Sequence, residues 1–293
     1  MSRTLALLVN PAAAGGKALR AVEPARAELE RLKADFRVIE TSSGEHAKKE
    51  ARDAAAQGVT PVAIGGDGLV GTLAGGVAGS DAELGIIPAG RGNDFARVLG
   101  IPTDPAEAAR LAYEGESKPL DVGDVDGKSF VGIASVGFDS DANRFANEVK
   151  LVRGNIVYAY AALKALAKWK PARFEVNIDG TPQEVTGYSV GICNSKAYGG
   201  GMYAAPQAVL DDGQLDVILC AVVPKRRFLF RTLPKVFKGT HLEDPNFSCF
   251  KGQVVEVSAD RPFVLYADGD PLADLPATVR ISPRSLRVIV PKP

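Results

Sequence analysis

Four short apolar runs constrain this chain more than any other feature. TLALLV (4–9), FRVIET (36–41), PVAI (61–64) and LGIIP (84–88) alternate with stretches of helical character at 18–34, 44–57, 69–79 and 92–99. Short apolar strands, each followed by a helix, are satisfied as a parallel sheet whose two faces are covered by those helices. Parallel strands all end at one edge of the sheet, and ligands of such sheets bind there.

Each of the four runs ends in a loop of small residues: NPAAAGGK (10–17), TSSG (41–44), GGDG (65–68) and PAGRGND (88–94). Glycine lets a backbone approach a ligand closely and turn its N–H groups towards it. The loops also feed helix N-termini, which favour phosphate. A single GGxG before a helix is usually only a tight turn, but four such loops at one edge form a candidate polyphosphate cradle. Among its glycines are Gly15, Gly16, Gly65, Gly66, Gly68 and Gly92. NPAAAGGK departs from a Walker A loop, with Pro11 in place of the first glycine and Ala18 in place of Ser/Thr, so a P-loop is excluded. Lys17 either adds positive charge to the cradle or is solvated. Asp67 cannot donate to phosphate, so beside one it requires Mg²⁺ or a substrate hydroxyl in between. Asp94 reads as an acid in a first helical turn satisfied by backbone N–H groups, and Asn93 is a candidate ligand contact.

Near 117–122 the pattern changes. LDVGDVDGKSFVGIASVGF reads as two strands joined at an Asp126-Gly127 hairpin turn. From 171 onward come RFEVNID, EVTGYSVGIC, LDVILCAVV, GQVVEVSA, FVLYAD, ATVRIS and LRVIV, with DG turns at 179–180, 212–213 and 268–269. This half reads as a mostly antiparallel β-sandwich, interrupted by helical character at 147–169 and 224–239. The expected fold is therefore an α/β, Rossmann-like three-layer nucleotide-binding domain over 1–118 and a β-sandwich over 119–293.

Lys+Arg and Asp+Glu are balanced at 35 each, so no overall field attracts nucleic acid. Cys193, Cys220 and Cys249 are dispersed and odd in number, which fits reduced thiols of a cytoplasmic protein. His46 and His241 are too few for a His-rich metal site. The first apolar run is too short for a signal peptide, and no run approaches the roughly 18 residues of a membrane span. Contact with a membrane is thus expected to be peripheral. The segment PKRRFLFRTLPKVFKG (224–239) has six basic residues and no acid. At helical spacing Leu229, Phe230, Leu233, Val236 and Phe237 make one stripe beside Arg227, Arg231, Lys235 and Lys238. Such a helix either binds an anionic membrane surface transiently or packs on its own sandwich with a solvated basic face. Pro234 kinks or ends it.

The ordered set of motifs resembles the diacylglycerol kinase catalytic-domain family, which includes sphingosine kinases and bacterial lipid kinases. NP…GGK (10–17), GGDG (65–68) and IIPAGRGNDFAR (86–97) are similar to its nucleotide-binding motifs, and VGFDS (136–140) to a further segment. NSKAYGGGMYAAPQAVLDDGQLDV (194–217) resembles its GGG-M, AP-A and DG-x-LD signature, and YADGD (266–270) stands where the family has DGE. The resemblance implies an active site in the cleft between the domains and transfer of a phosphoryl group from ATP to a lipid hydroxyl, most simply diacylglycerol. It implies that Asn10, Thr41, Gly66, Asp67, Gly68, Thr72 and Arg91 line the ATP site. It implies Asp270 as the general base, with Asp268 as the alternative, and a structural Mg²⁺ on Asp212 with backbone oxygens of Val209 and Gln214. Without the resemblance, Asp268 and Asp270 read as flanks of a DG hairpin. A homodimer is left open. Departures from the family pattern are Leu69 for Thr, Thr72 for Glu, Arg91 for Thr, and Asp270 for Glu, which is one methylene longer. Two competing readings remain: a soluble-substrate kinase of the NAD kinase and phosphofructokinase superfamily, which share GGDG, and a nucleotide or lipid sensor without catalysis.

Overall fold

The computed structural model describes residues 3–11, 13–138, 140, 166 and 169–292. The helical stretch expected at 147–169, and Asp139 of VGFDS, lie outside the described residues apart from single positions.

The four apolar runs form β1 (Thr4–Val9), β2 (Asp35–Glu40), β3 (Thr60–Gly65) and β4 (Glu83–Pro88). All pair in parallel, in the order β2-β1-β3-β4. β3 is buried throughout and β1 nearly so, whereas edge strand β2 is largely exposed. The covering helices are α1 (Lys17–Arg31), α2 (Gly44–Ala56), α3 (Asp67–Val77), α4 (Asp94–Val98) and α5 (Pro105–Glu114). The inward faces of α1 and α2 are made chiefly of alanine: Ala18, Ala21 and Ala25 with Leu29, and Ala47, Ala51 and Ala54. Small residues at three- and four-residue spacing let each helix axis lie close to the sheet.

The second half contains β5 (Glu116–Val125), β6 (Lys128–Phe130), β7 (Ile133–Gly137), β8 (Ala172–Ile178), β9 (Thr181–Cys193) and β10 (Leu215–Ala221). It continues with β11 (Phe247–Gly252), β12 (Val254–Ala259), β13 (Val264–Ala267), β14 (Asp270–Asp274) and β15 (Ala277–Val290). Antiparallel pairing runs β14-β13-β7-β9-β8-β12-β15 around a core that includes Phe130, Phe174, Val190, Val217, Val257 and Val279. Three of the DG pairs are hairpin turns with positive φ at both residues: Asp126-Gly127, Asp179-Gly180 and Asp268-Gly269. That is the twist-matched geometry of a two-residue hairpin. Asp212-Gly213 instead lies in the loop before β10, with only Gly213 at positive φ.

Two features differ from the sequence reading. ATVRIS and LRVIV form one strand, β15, with a register break between Ser282 and Leu286. Its first part belongs to the sandwich beside β12; its last part pairs in parallel with β4, at Arg287 and Val288, and packs in the first core. Together with β5 it ties the two halves, so a cut at 118/119 falls inside β5. The second is the basic segment. It is an α turn (Lys225–Arg227), a π turn (Phe228–Thr232) and a short helix (Leu233–Lys238). The wider π turn rotates the expected stripe out of register. Phe228 and Thr232 are buried, Leu229, Leu233 and Val236 are half-buried, and Phe230 and Phe237 face solvent. Phe228 stacks on Tyr188 with ring centroids 4.4 Å apart.

Candidate active site

Because β1 to β4 are parallel, their loops meet at one sheet edge. There they enclose a cavity of about 400 Å³. Of the residues expected at a nucleotide site, Asn10, Thr41, Gly66, Gly68, Thr72 and Arg91 line it. Asp270 lines it too, carried in from the sandwich at the start of β14. Ser43 and Gly44 of the TSSG loop belong to the wall as well, with Ala47, which the sequence reading did not single out. Ser43 caps α2 by accepting the His46 N–H at 3.1 Å, and an N-cap serine ahead of an alanine-rich run is the signal that could have found it. The cavity therefore receives the N-termini of two helices, α2 and α3. Their unpaired N–H groups and dipoles favour an anion. Arg91 is exposed and adds a cation.

Two glycines are required by close approach rather than by φ. A Cβ on Gly66 would lie 3.0 Å from Gly90 Cα, and one on Gly90 would collide with Gly66 Cα and reach 2.8 Å from Asn93 Oδ1. The GGDG and GRGND loops are thus packed backbone against backbone. Asn93 fastens the second loop: at φ 53° its Oδ1 accepts the Gly90 N–H at 2.8 Å. Thr41 is buried and donates its hydroxyl to Val9 O at 3.2 Å, clamping the ends of β1 and β2. Thr72 donates to Gly68 O at 2.8 Å.

Gly15, Gly16, Lys17, Gly65, Asp67, Gly92 and Asn93 do not line the cavity. Gly15 and Gly16 make the left-handed turn before α1, with φ 66° and 81°, and Lys17 is exposed on the first turn of α1. Asp67 Oδ1 accepts the Phe95 N–H at 3.0 Å, so this carboxylate joins GGDG to the start of α4. Asp94 was expected to be satisfied within its own turn. Its carboxylate instead accepts the Gly200 N–H at 2.7 Å, across to the second half of the chain, and pairs with Arg97 at 2.7 Å. Burial pushes the Asp67 carboxyl above its usual range, and the charge of Asp94 adds to the shift.

The two aspartates of YADGD part company. Asp268 points inward and accepts N–H groups of Val131, Gly132 and Ile133 at 2.9, 3.0 and 3.2 Å. A Cβ on Gly71 of α3 would lie 3.3 Å from its Oδ2, so Asp268 also abuts the nucleotide half. Burial pushes its carboxyl up to about 6, and the charge of Asp67 contributes. Asp270 makes no such commitment; burial alone pushes it up. A base needs a free oxygen; Asp268 spends its oxygens on backbone N–H groups, whereas Asp270 lines the cavity.

Among the described residues no group of three or more His, Cys, Asp or Glu side chains is arranged to hold a metal. Asp212 accepts the Gln214 N–H at 3.0 Å and pairs with Lys251 at 2.6 Å, and Val209 is exposed. As arranged, Asp212 is satisfied without a cation, so the expected Val209, Asp212 and Gln214 site is a poor fit. Asp67 is likewise engaged, by the Phe95 N–H, and Asp94 and Asp268 are the carboxylates whose charge couples to it.

Residues 4–125 match the diacylglycerol kinase catalytic domain, and 132–290 match the YegS C-terminal NAD kinase beta sandwich-like domain. The diacylglycerol kinase of Mycobacterium tuberculosis (strain ATCC 25618 / H37Rv) is 35% identical over 293 residues, covering 97% of this chain and 94% of that one. A Pseudomonas aeruginosa protein named probable lipid kinase YegS-like is 32% identical over 289 residues, covering 97% and 93%. The crystal structure of a diacylglycerol kinase from Bacillus anthracis str. Sterne superposes with a TM-score of 0.74 at 22% identity, covering 99% of this chain and 97% of that one, a likeness of fold.

Proposed function

The chain belongs to the diacylglycerol kinase family of lipid kinases, and on that premise we propose that it transfers the γ-phosphate of ATP to the free hydroxyl of diacylglycerol, giving phosphatidic acid. The observation that carries this reading is the position of Asp270. A carboxylate from the sandwich faces a cavity whose other walls are glycine loops and two helix N-termini.

Phosphoryl transfer asks for positioning and charge neutralisation more than for covalent chemistry. Backbone N–H groups at Gly66, Gly68 and Gly44 hold phosphate oxygens, and Arg91 supplies the guanidinium contact that a Thr or the Leu69 side chain cannot. Asp270 accepts the hydroxyl proton as the acceptor oxygen bonds to the γ-phosphorus and the bond to the β-phosphate oxygen breaks, releasing ADP. Burial raises its pKa, which makes it a stronger base than an ordinary aspartate. Mg²⁺, when bound, would neutralise phosphate charge, and Asp67, in the GGDG loop whose Gly66 and Gly68 line the cavity, would hold it through water. A lipid acceptor also requires the protein to work at a membrane surface. Among the described residues no helix is long and apolar enough to cross one, and the reading takes the contact to be peripheral.

The test is a radiolabelled ATP assay with Mg²⁺ against diacylglycerol, phosphatidylglycerol and a long-chain base in mixed micelles, with NAD as the soluble control. Label in diacylglycerol, abolished by Asp270→Asn, is the expected result. Label in NAD would move the chain to a soluble-substrate kinase. No label in any acceptor, from folded protein that binds ATP, would favour a sensor.

A further inference from the structure

We propose that the outward face of the 225–238 segment is a docking surface for an anionic lipid bilayer, tied to the active-site loops through the 200–203 loop; the proposal rests on the lipid-kinase reading above. Phe230 is 73% exposed and Phe237 49% exposed. Pro234, also exposed, lies between them, so the three stand at i, i+4 and i+7 and follow one side of the segment. Arg226, Arg231 and Lys238 flank this apolar strip and are exposed; Lys235 is half-buried beside it. None of these four cations has an acidic partner among the described residues. Arg227, by contrast, is neutralised by Asp244 at 2.8 Å. From Lys225 to Leu242 the chain contains no acid, in a protein whose total charge is zero.

Large aromatic side chains left in water inside a ring of unpaired cations mark an interaction site. A bilayer with anionic headgroups satisfies both halves: rings enter the headgroup and acyl boundary, and cations meet lipid phosphates. A second copy of this chain is a poorer occupant. A two-fold contact sets the same patch against itself, and this patch supplies cations without the acids to pair them.

The segment is built to hold that face in place. Phe228 and Thr232 are buried beneath it, with Phe228 stacked on Tyr188 and edge-on to Phe138 at 5.3 Å. Val236 O accepts the Tyr203 N–H at 3.0 Å. The same loop carries Gly200, whose N–H reaches Asp94 of the nucleotide half at 2.7 Å. The docking face is thus two short hydrogen-bonded steps from the loops that line the cleft, where a membrane-borne hydroxyl must arrive.

The experiment compares wild type with Phe230→Ser/Phe237→Ser and Arg231→Gln/Lys238→Gln by co-sedimentation with phosphatidylcholine vesicles with and without phosphatidylglycerol. Each cation at an anionic surface strengthens binding roughly fivefold, so the charge variant should bind phosphatidylglycerol vesicles about 25-fold less tightly. The aromatic variant should lose at least roughly tenfold. Turnover of a short-chain diacylglycerol, dissolved below its aggregation concentration, should be equal in all three proteins, which also reports that the variants are folded. Vesicle binding equal to wild type in both variants would overturn the proposal. So would a wild-type dimer, seen by sedimentation velocity, that the variants dissociate while vesicle binding stays intact. Wild type that binds phosphatidylglycerol vesicles through this face yet never phosphorylates the soluble lipid would overturn the proposed function and leave the docking surface standing.

Discussion

Alanine at Gly90 and alanine at Gly68 should move stability in opposite directions, although both glycines belong to the same cradle. At Gly90 the new methyl would collide with Gly66 Cα, 2.8 Å from Asn93 Oδ1 and 3.0 Å from Gly66 N. Two of these neighbours are backbone, so relief requires the GGDG and GRGND loops to separate by a large fraction of an ångström. Overpacking of this kind costs about 1–3 kcal/mol. The separation also breaks the hydrogen bond from Gly90 N to Asn93, which places the cost near the upper end. At Gly68 nothing lies within 4 Å of an added Cβ, and the residue is inside α3 at an ordinary φ. Replacing a helical glycine by alanine stabilises by about 0.5–1 kcal/mol. Gly68 nevertheless lines the cavity, so its new methyl occupies space meant for phosphate. Urea unfolding should show Gly90→Ala destabilised and Gly68→Ala stabilised, with KM for ATP raised in both. A Gly90→Ala protein as stable as wild type would refute the backbone-on-backbone packing. A Gly68→Ala protein with unchanged KM would refute the cradle.

Asp270→Asn should lower kcat by about 10²–10⁴-fold, the usual contribution of general base catalysis, while ATP affinity by calorimetry stays within about twofold. The wild-type kcat should fall on the acid side with a midpoint above the ordinary 3.8 of an aspartate, because burial raises Asp270 and only its ionised form accepts a proton. For Asp268 the folded value of about 6 lies above the unfolded 3.8. Its protonated form is favoured by folding, so that contribution is complete below about 4 and is lost as pH rises to about 6. The urea midpoint of wild type relative to Asp268→Asn should decline across that window. Asp94→Ala removes the acceptor of the Gly200 N–H and the partner of Arg97, and should cost about 1–3 kcal/mol in urea unfolding.

The four-strand frame was readable because its signal is local. β1 to β4 and the helices between them appear within a few residues of the apolar and alanine-rich runs that form them. The cradle followed from the same reading, since parallel strands must deliver their loops to one edge. Individual roles within it were harder to read. GGDG looks the same on paper whether its aspartate faces a phosphate or caps a neighbouring helix, and Asp67 does the second. Asp94 looked self-sufficient because its partner, Gly200, is 106 positions away. In YADGD two aspartates flank one glycine, and alternation along a strand did not tell which faces the cleft; the positive φ of Asp268 and Gly269 turns Asp268 inward.

Sequence alone determined the four parallel strands with the helices between them, the sheet edge where their loops meet, and the residue types gathered there. These depend on hydrophobic periodicity, glycine and turn chemistry, all set within a few residues. Tertiary structure decided which carboxylates are free and which are spent on backbone N–H groups, which strand carries the sandwich into the nucleotide half, and which aromatics of the basic segment remain in water. Each of those depends on what a side chain meets from a distant part of the chain, and on small displacements such as a single π turn, which rotate a residue from core to solvent without changing the pattern of letters.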